Sequence, residues 1–168
     1  QTLAQIAAAD PGALWLIGNE PDAPYNQDNV TPEVYAARYH DLYAFLKQQD
    51  PTAQIAAGGL VQATPLRLQY LDRILAAYQN SYATPLPADA WHTHEQILQE
   101  VRGEWGCSIP AGFEGVNTGT IYSMQDNASP AIFQQHIVAL RQWLKNNGYQ
   151  NKPLYVSEYG VLMPSCYL

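Results

Sequence analysis

Three times in this chain a hydroxyl residue stands directly before a proline at the head of an amphipathic segment: Thr31-Pro32, Thr64-Pro65 and Ser129-Pro130. A Ser or Thr there can accept a hydrogen bond from a first-turn N–H, and proline at the first helical position gives up an N–H that had no intrahelical partner. The pattern predicts three helix starts. Behind Thr31, residues Tyr35, Tyr39, Leu42 and Leu46 recur at helical spacing until Asp50-Pro51 ends the run. Leu71, Ile74, Leu75 and Tyr78 follow Thr64 in the same way, and Phe133, Ile137, Leu140 and Leu144 follow Ser129 as far as Asn147-Gly148. Residues 2–9 read as the end of a further helix, stopped by Pro11-Gly12.

Between the helices lie apolar runs of strand length: Ala13 to Ile17, Gln54 to Val61, Ala90 to His94, and Leu154 to Glu158. Strands that are apolar along their length and alternate with helices predict an α/β fold, a parallel sheet covered by helices. Residues 95–127 lack periodicity and are rich in Gly. They read as a long connecting loop with a small helix near Gln96 to Val101 and a strand-like piece at Thr120-Ile121-Tyr122. Such loops in compact domains are usually functional. At 168 residues the chain, 1–168, fits one domain with a real core.

Composition narrows the function. Fifteen acidic residues against eight basic ones give a net charge of -7, which repels phosphate backbones and anionic lipid surfaces, so neither nucleic acid nor a membrane is expected as partner. Twelve Tyr and four Trp suit a neutral polyol bound by aromatic faces and hydrogen bonds. No apolar run is long enough to span a bilayer, and the first residues lack the pattern of a secretory signal. No Gly-rich phosphate turn follows any strand. Instead, polar groups stand where the strands end: Asn19-Glu20, His92 and His94, and Glu158. Chemistry at strand C-termini favours a (β/α)8 barrel over an open doubly wound sheet.

Two glutamates on separate strands supply what glycoside hydrolysis needs, a carboxylic acid for the leaving oxygen and a carboxylate at the anomeric carbon. The run Leu16-Ile17-Gly18-Asn19-Glu20-Pro21 resembles the fourth strand of clan A glycoside hydrolases, and Tyr155-Val156-Ser157-Glu158-Tyr159-Gly160 resembles the seventh. The two intervening runs would then be strands five and six. The resemblance covers nearly the whole chain, about four βα units from helix three through strand seven of a TIM-type barrel. It implies a retaining glycosidase, with Glu20 as acid/base, Glu158 as nucleophile and Asn19 as donor to the sugar 2-hydroxyl. Strands one to three and eight have no counterpart, so the rest of the barrel is expected from the same longer chain or from a second copy.

His92 and His94, one residue apart on a strand, point to the same side. They are expected to contact sugar or to hold Glu158 ionised; the alternative is a metal-dependent hydrolase using this pair with Glu20 or Glu158. His40 and His136 fall inside predicted helices, away from the mouth. Trp105 and Tyr159 are the preferred sugar platforms, with Tyr122 a further candidate, while Trp15 and Trp143 are assigned to packing and Asp22 to a turn. No metal or other cofactor is expected. A disulfide between Cys107 and Cys166 would fit a secreted polysaccharide-degrading enzyme. A non-catalytic carbohydrate-binding fragment is a third reading, opposed by the intact pair of glutamates.

Overall fold

The computed structural model describes residues 2–24 and 27–164. Helix α1 (Leu3–Ala9) leads into strand β1 (Leu14–Leu16), followed by α2 (Pro32–Gln49), β2 (Gln54–Leu60), α3 (Pro65–Tyr82), β3 (Ala90–Glu95), α4 (Pro130–Asn146) and β4 (Leu154–Tyr159). The helix starts fall where the hydroxyl-proline pairs place them. Thr31 Oγ1 accepts from the Val34 N–H and Ser129 Oγ from the Ile132 N–H, each at 3.4 Å. Thr64 departs from the expected cap, because its hydroxyl donates to the buried Glu100 carboxylate instead. The charge-assisted bond to Glu100 orients the Thr64 hydroxyl, which makes no bond to a first-turn N–H.

The four strands are parallel and adjacent in chain order, β1-β2-β3-β4, in a curled sheet that alternates with the helices. Central strands β2 and β3 are buried almost throughout, whereas the outer strands are the exposed ones. Leu14 and Leu16 face solvent on one side and Tyr155 and Val156 on the other. Between sheet and helices, Trp91 of β3 packs edge-on against Trp143 and Tyr149, at centroid distances of 5.2 and 4.9 Å. No helix among the described residues is long and apolar enough to cross a membrane.

Two irregularities shape the C-terminal ends of the strands. Gly58 and Gly59 hold φ of +117° and +76°, and a Cβ on Gly58 would stand 2.2 Å from the His92 carbonyl oxygen. Only glycine lets β2 pass this close to β3. Across the next pair, Thr93 is in register with Val156 but His94 with Glu158, so Ser157 is an extra residue on β4.

The long loop is ordered differently from expectation. Residues 96–100 form no helix, and Val101 bridges antiparallel to Thr118 while 120–122 form no strand. A 3-10 helix, Met124–Ala128, leads instead into α4. The organiser is Arg67 of α3, fully buried, whose Nε lies 2.8 Å from Asp22 Oδ2 and whose Nη1 binds Glu100. The Nε–H is not aimed along a hydrogen bond to Asp22, so charge rather than directed bonding holds that contact. Its Nη2 donates to the carbonyls of Asp22, Cys107 and Ser108 at 3.1, 2.9 and 3.2 Å. Asp22 is thus a buried anchor in a turn rather than a turn residue alone. Burial pushes its carboxyl up to about 6 against the pull of Arg67. Replacing Arg67 with Met strands two buried carboxylates and should cost about 3–5 kcal/mol of stability, read from urea unfolding.

Candidate active site

Strand β1 delivers Glu20 through a strained turn. Ile17 N–H still bonds the Ala56 carbonyl at 3.0 Å; the chain then turns at Gly18 (φ +102°), and Glu20 N–H rejoins β2 at Gly59 O, 2.8 Å away. The Tyr35 hydroxyl fastens this turn by donating to Ile17 O and accepting from Gly58 N–H, both at 2.9 Å. Glu20 itself holds φ of +52°, a left-handed conformation costing on the order of 1 kcal/mol in a residue with a Cβ. Its carboxylate is buried and meets His94, with Nδ1 2.9 Å from Glu20 Oε1.

The extra residue on β4 brings Glu158 to the same place. Its Oε2 lies 3.7 Å from His94 Nδ1, and Gln96 Nε2 donates to its Oε1 at 3.1 Å. One ligand atom from each of Glu20, His94 and Glu158 falls within 4.8 Å of the others. Burial lowers the proton affinity of His94, but the hydrogen bond to Glu20 and the charges of Glu20, Glu158 and Asp22 outweigh it, and the net shift is upward. The Glu158 side chain is about half exposed, so the pair opens on a hollow of about 370 Å³ lined also by Gln27, Leu98 and Trp105.

His92 has a different environment although it shares a strand face with His94. Its Nε2 donates to Ile17 O at 3.2 Å and its Nδ1 lies 3.1 Å from Ser157 Oγ. Both nitrogens are engaged away from the carboxylates, so His92 belongs to the floor of the hollow whereas His94 meets Glu20 and Glu158. Burial lowers its pKa to about 4, and a neutral His92 is the state that fits this floor.

The other expected residues spread out. Asn19 is exposed and donates at 3.0 Å to Oε1 of Gln27, a residue that lines the hollow. Trp105 packs on the small cluster of Ala23, Val61, Leu98 and Cys107 and lines the hollow beside both glutamates. Tyr159 is 75% exposed and turns edge-on to Phe133, lining a separate hollow of about 360 Å³ with Glu95 and Asn127. Tyr122 binds His136 Nε2 at 2.8 Å, and His136 Nδ1 lies 3.0 Å from Glu95 Oε2. His136 thus reaches the end of β3 from within its helix, contrary to the expected separation, although it joins Glu95 rather than Glu20 or Glu158. The buried Cys107 thiol lies within sulfur range of the carbonyls of Leu98 and Gln99, and its suggested partner Cys166 lies outside the described residues.

Gln96 and Gln27 were not legible in advance. Gln96 falls where the sequence suggests a small helix, and nothing about a lone glutamine marks a carboxylate partner. Comparison of the chain with family models and with curated proteins gives no match.

The two histidines should titrate apart. His94 has a raised folded value, so its contribution to stability is complete below the unfolded value of 6.5 and is lost as pH rises through the folded one. His92 has the opposite sign: its contribution is complete above 6.5 and is lost as pH falls toward about 4, a drop of about 3 kcal/mol. NMR titration should find His94 above 6.5 and His92 near 4, and Glu20→Gln should move His94 down while leaving His92 in place.

Proposed function

We propose that this protein is a retaining glycoside hydrolase of (β/α)8 type, the described strands being its fourth to seventh. The observation that carries the proposal is the meeting of Glu20 and Glu158 from separate strand ends, with carboxylate oxygens within 4.8 Å across His94. Retaining enzymes hold their carboxyl groups about 5–5.5 Å apart, whereas inverting enzymes leave about 6.5–9.5 Å for a water. The strand resemblance, the half-exposed Glu158 and the Trp105 beside the hollow support the same reading.

In this mechanism Glu158 attacks the anomeric carbon as the glycosidic bond breaks, and the leaving oxygen takes a proton from the Glu20 side of the site. Glu20 is the group that gives this proton up, with its Oε1 2.9 Å from His94 Nδ1. A water then attacks the glycosyl-enzyme, giving its proton back to Glu20, and Glu158 leaves as carboxylate. Asn19, oriented by Gln27, is the donor for the sugar 2-hydroxyl. A carbohydrate substrate and an extracellular polysaccharide-degrading role accompany this proposal.

A second reading is favoured by one observation, because Glu20, His94 and Glu158 could also hold a divalent cation. His92 adds no ligand to it, since both of its nitrogens are occupied. Stoichiometric zinc whose removal abolishes hydrolysis would replace the glycosidase by a metal-dependent hydrolase.

The direct test is hydrolysis of an aryl glycoside panel by the full-length protein. Glu158→Ala should lower activity by about a thousandfold or more, and azide should restore it by forming a glycosyl azide of inverted configuration. Glu20→Ala should penalise poor leaving groups far more than good ones. Activity that survives Glu158→Ala would exclude the mechanism, and sugar binding without hydrolysis would make the protein a carbohydrate-binding one.

A further inference from the structure

Two groups hold the carboxylate of Glu158, and only His94 was foreseeable. The other, Gln96, is the first residue beyond β3 and is 2% exposed, with its backbone N–H on Val61 O at 3.1 Å. Its Nε2 donates to Glu158 Oε1 at 3.1 Å, while among the described residues no donor reaches its buried Oε1. An amide can exchange its oxygen and nitrogen by a half-turn with almost no change of shape, so a buried glutamine with a purely structural role settles wherever its partners are best satisfied. A carboxylate only accepts. Glu158 therefore dictates which end of the Gln96 amide faces it, and the unpaired oxygen is the consequence.

Glu158 needs such a partner. Its side chain is about half exposed, on the outermost strand, and a carboxylate there would sample several rotamers. A donor fixed in the buried layer behind it removes that freedom. The bond to Oε1 leaves Oε2 as the oxygen on the side of His94, which also meets Glu20, and Glu158 and Glu20 line one hollow.

We propose that Gln96 is a positioning residue for the nucleophile, holding Oε1 of Glu158 so that Oε2 meets the anomeric carbon. The inference rests on the glycosidase reading above, and its test separates the two. Gln96→Met keeps the length and volume of the side chain but removes the donor. In the full-length protein it should lower kcat by about tenfold or more on aryl glycosides with little change in KM, since misplacement of a reacting group acts on the chemical step. The decisive comparison is made in the Glu158→Ala background. Azide supplies its own nucleophile and needs no positioned carboxylate, so the azide-rescued rate should be about the same with and without Gln96→Met. Gln96→Glu, which preserves the shape and reverses the chemistry, should repeat the pattern should the methionine variant fold poorly.

An unchanged kcat in the Gln96 variants would overturn the inference and leave the glycosidase standing. So would an azide-rescued rate that falls in proportion to kcat, which would make Gln96 a support of the fold alone. No glycosidase activity in the wild-type protein, or activity indifferent to Glu158→Ala, would remove the glycosidase reading and this inference together.

Discussion

A guanidinium held entirely out of water is the constraint on which the site depends. Arg67 cannot be neutralised at any ordinary pH, so every segment packed around it must present acceptors. Asp22 comes from the turn after Glu20, Glu100 and the carbonyls of Cys107 and Ser108 from the long loop. Helix α3 thereby ties the turn after β1 to the loop after β3, although the two are remote in sequence. Ion pairs of this kind contribute little net stability compared with apolar packing, but breaking one side is costly. Their effect here is geometric: the turn two residues from the acid/base candidate has one place to be.

Above this anchor, depth sorts chemically identical groups. His92 and His94 share a strand, a face and a residue type, yet burial among neutral partners lowers one while the charges of Glu20, Glu158 and Asp22 raise the other. Two residues of rise separate the floor of the hollow from the layer of the carboxylates. The same sorting separates the glutamates, Glu20 enclosed and Glu158 half open on the outer strand.

The sequence was most legible where the deciding interactions are local. Thr31 and Ser129 cap their helices because the acceptor and the N–H lie three residues apart, and the apolar runs became strands within a residue or two of their expected limits. Legibility failed where a distant partner intervened. Thr64 has the same signature as Thr31, but Glu100 claims its hydroxyl; Asp22 looks like turn chemistry until Arg67 arrives from another helix. The Glu95, His136 and Tyr122 chain, and Gln96, also depend on contacts across elements. The glutamate pair was named from strand ends, but the spacing of two histidines could not say which would stand between its carboxylates.

The extra residue on β4 gives the site a kind of parity. In an unbroken parallel register following Thr93 and Val156, His94 would lie beside Ser157, and Glu158 would fall opposite Glu95 on the other face of the sheet. With Ser157 taken up in the bulge, its hydroxyl goes to His92 and Glu158 swings to the side of His94. Side chains on a strand have two settings, inward or outward, and one inserted residue switches between them. Length variation in this strand would therefore act as a switch rather than a dial: an even slip displaces the carboxylate along its own face, while an odd one removes it from the site altogether.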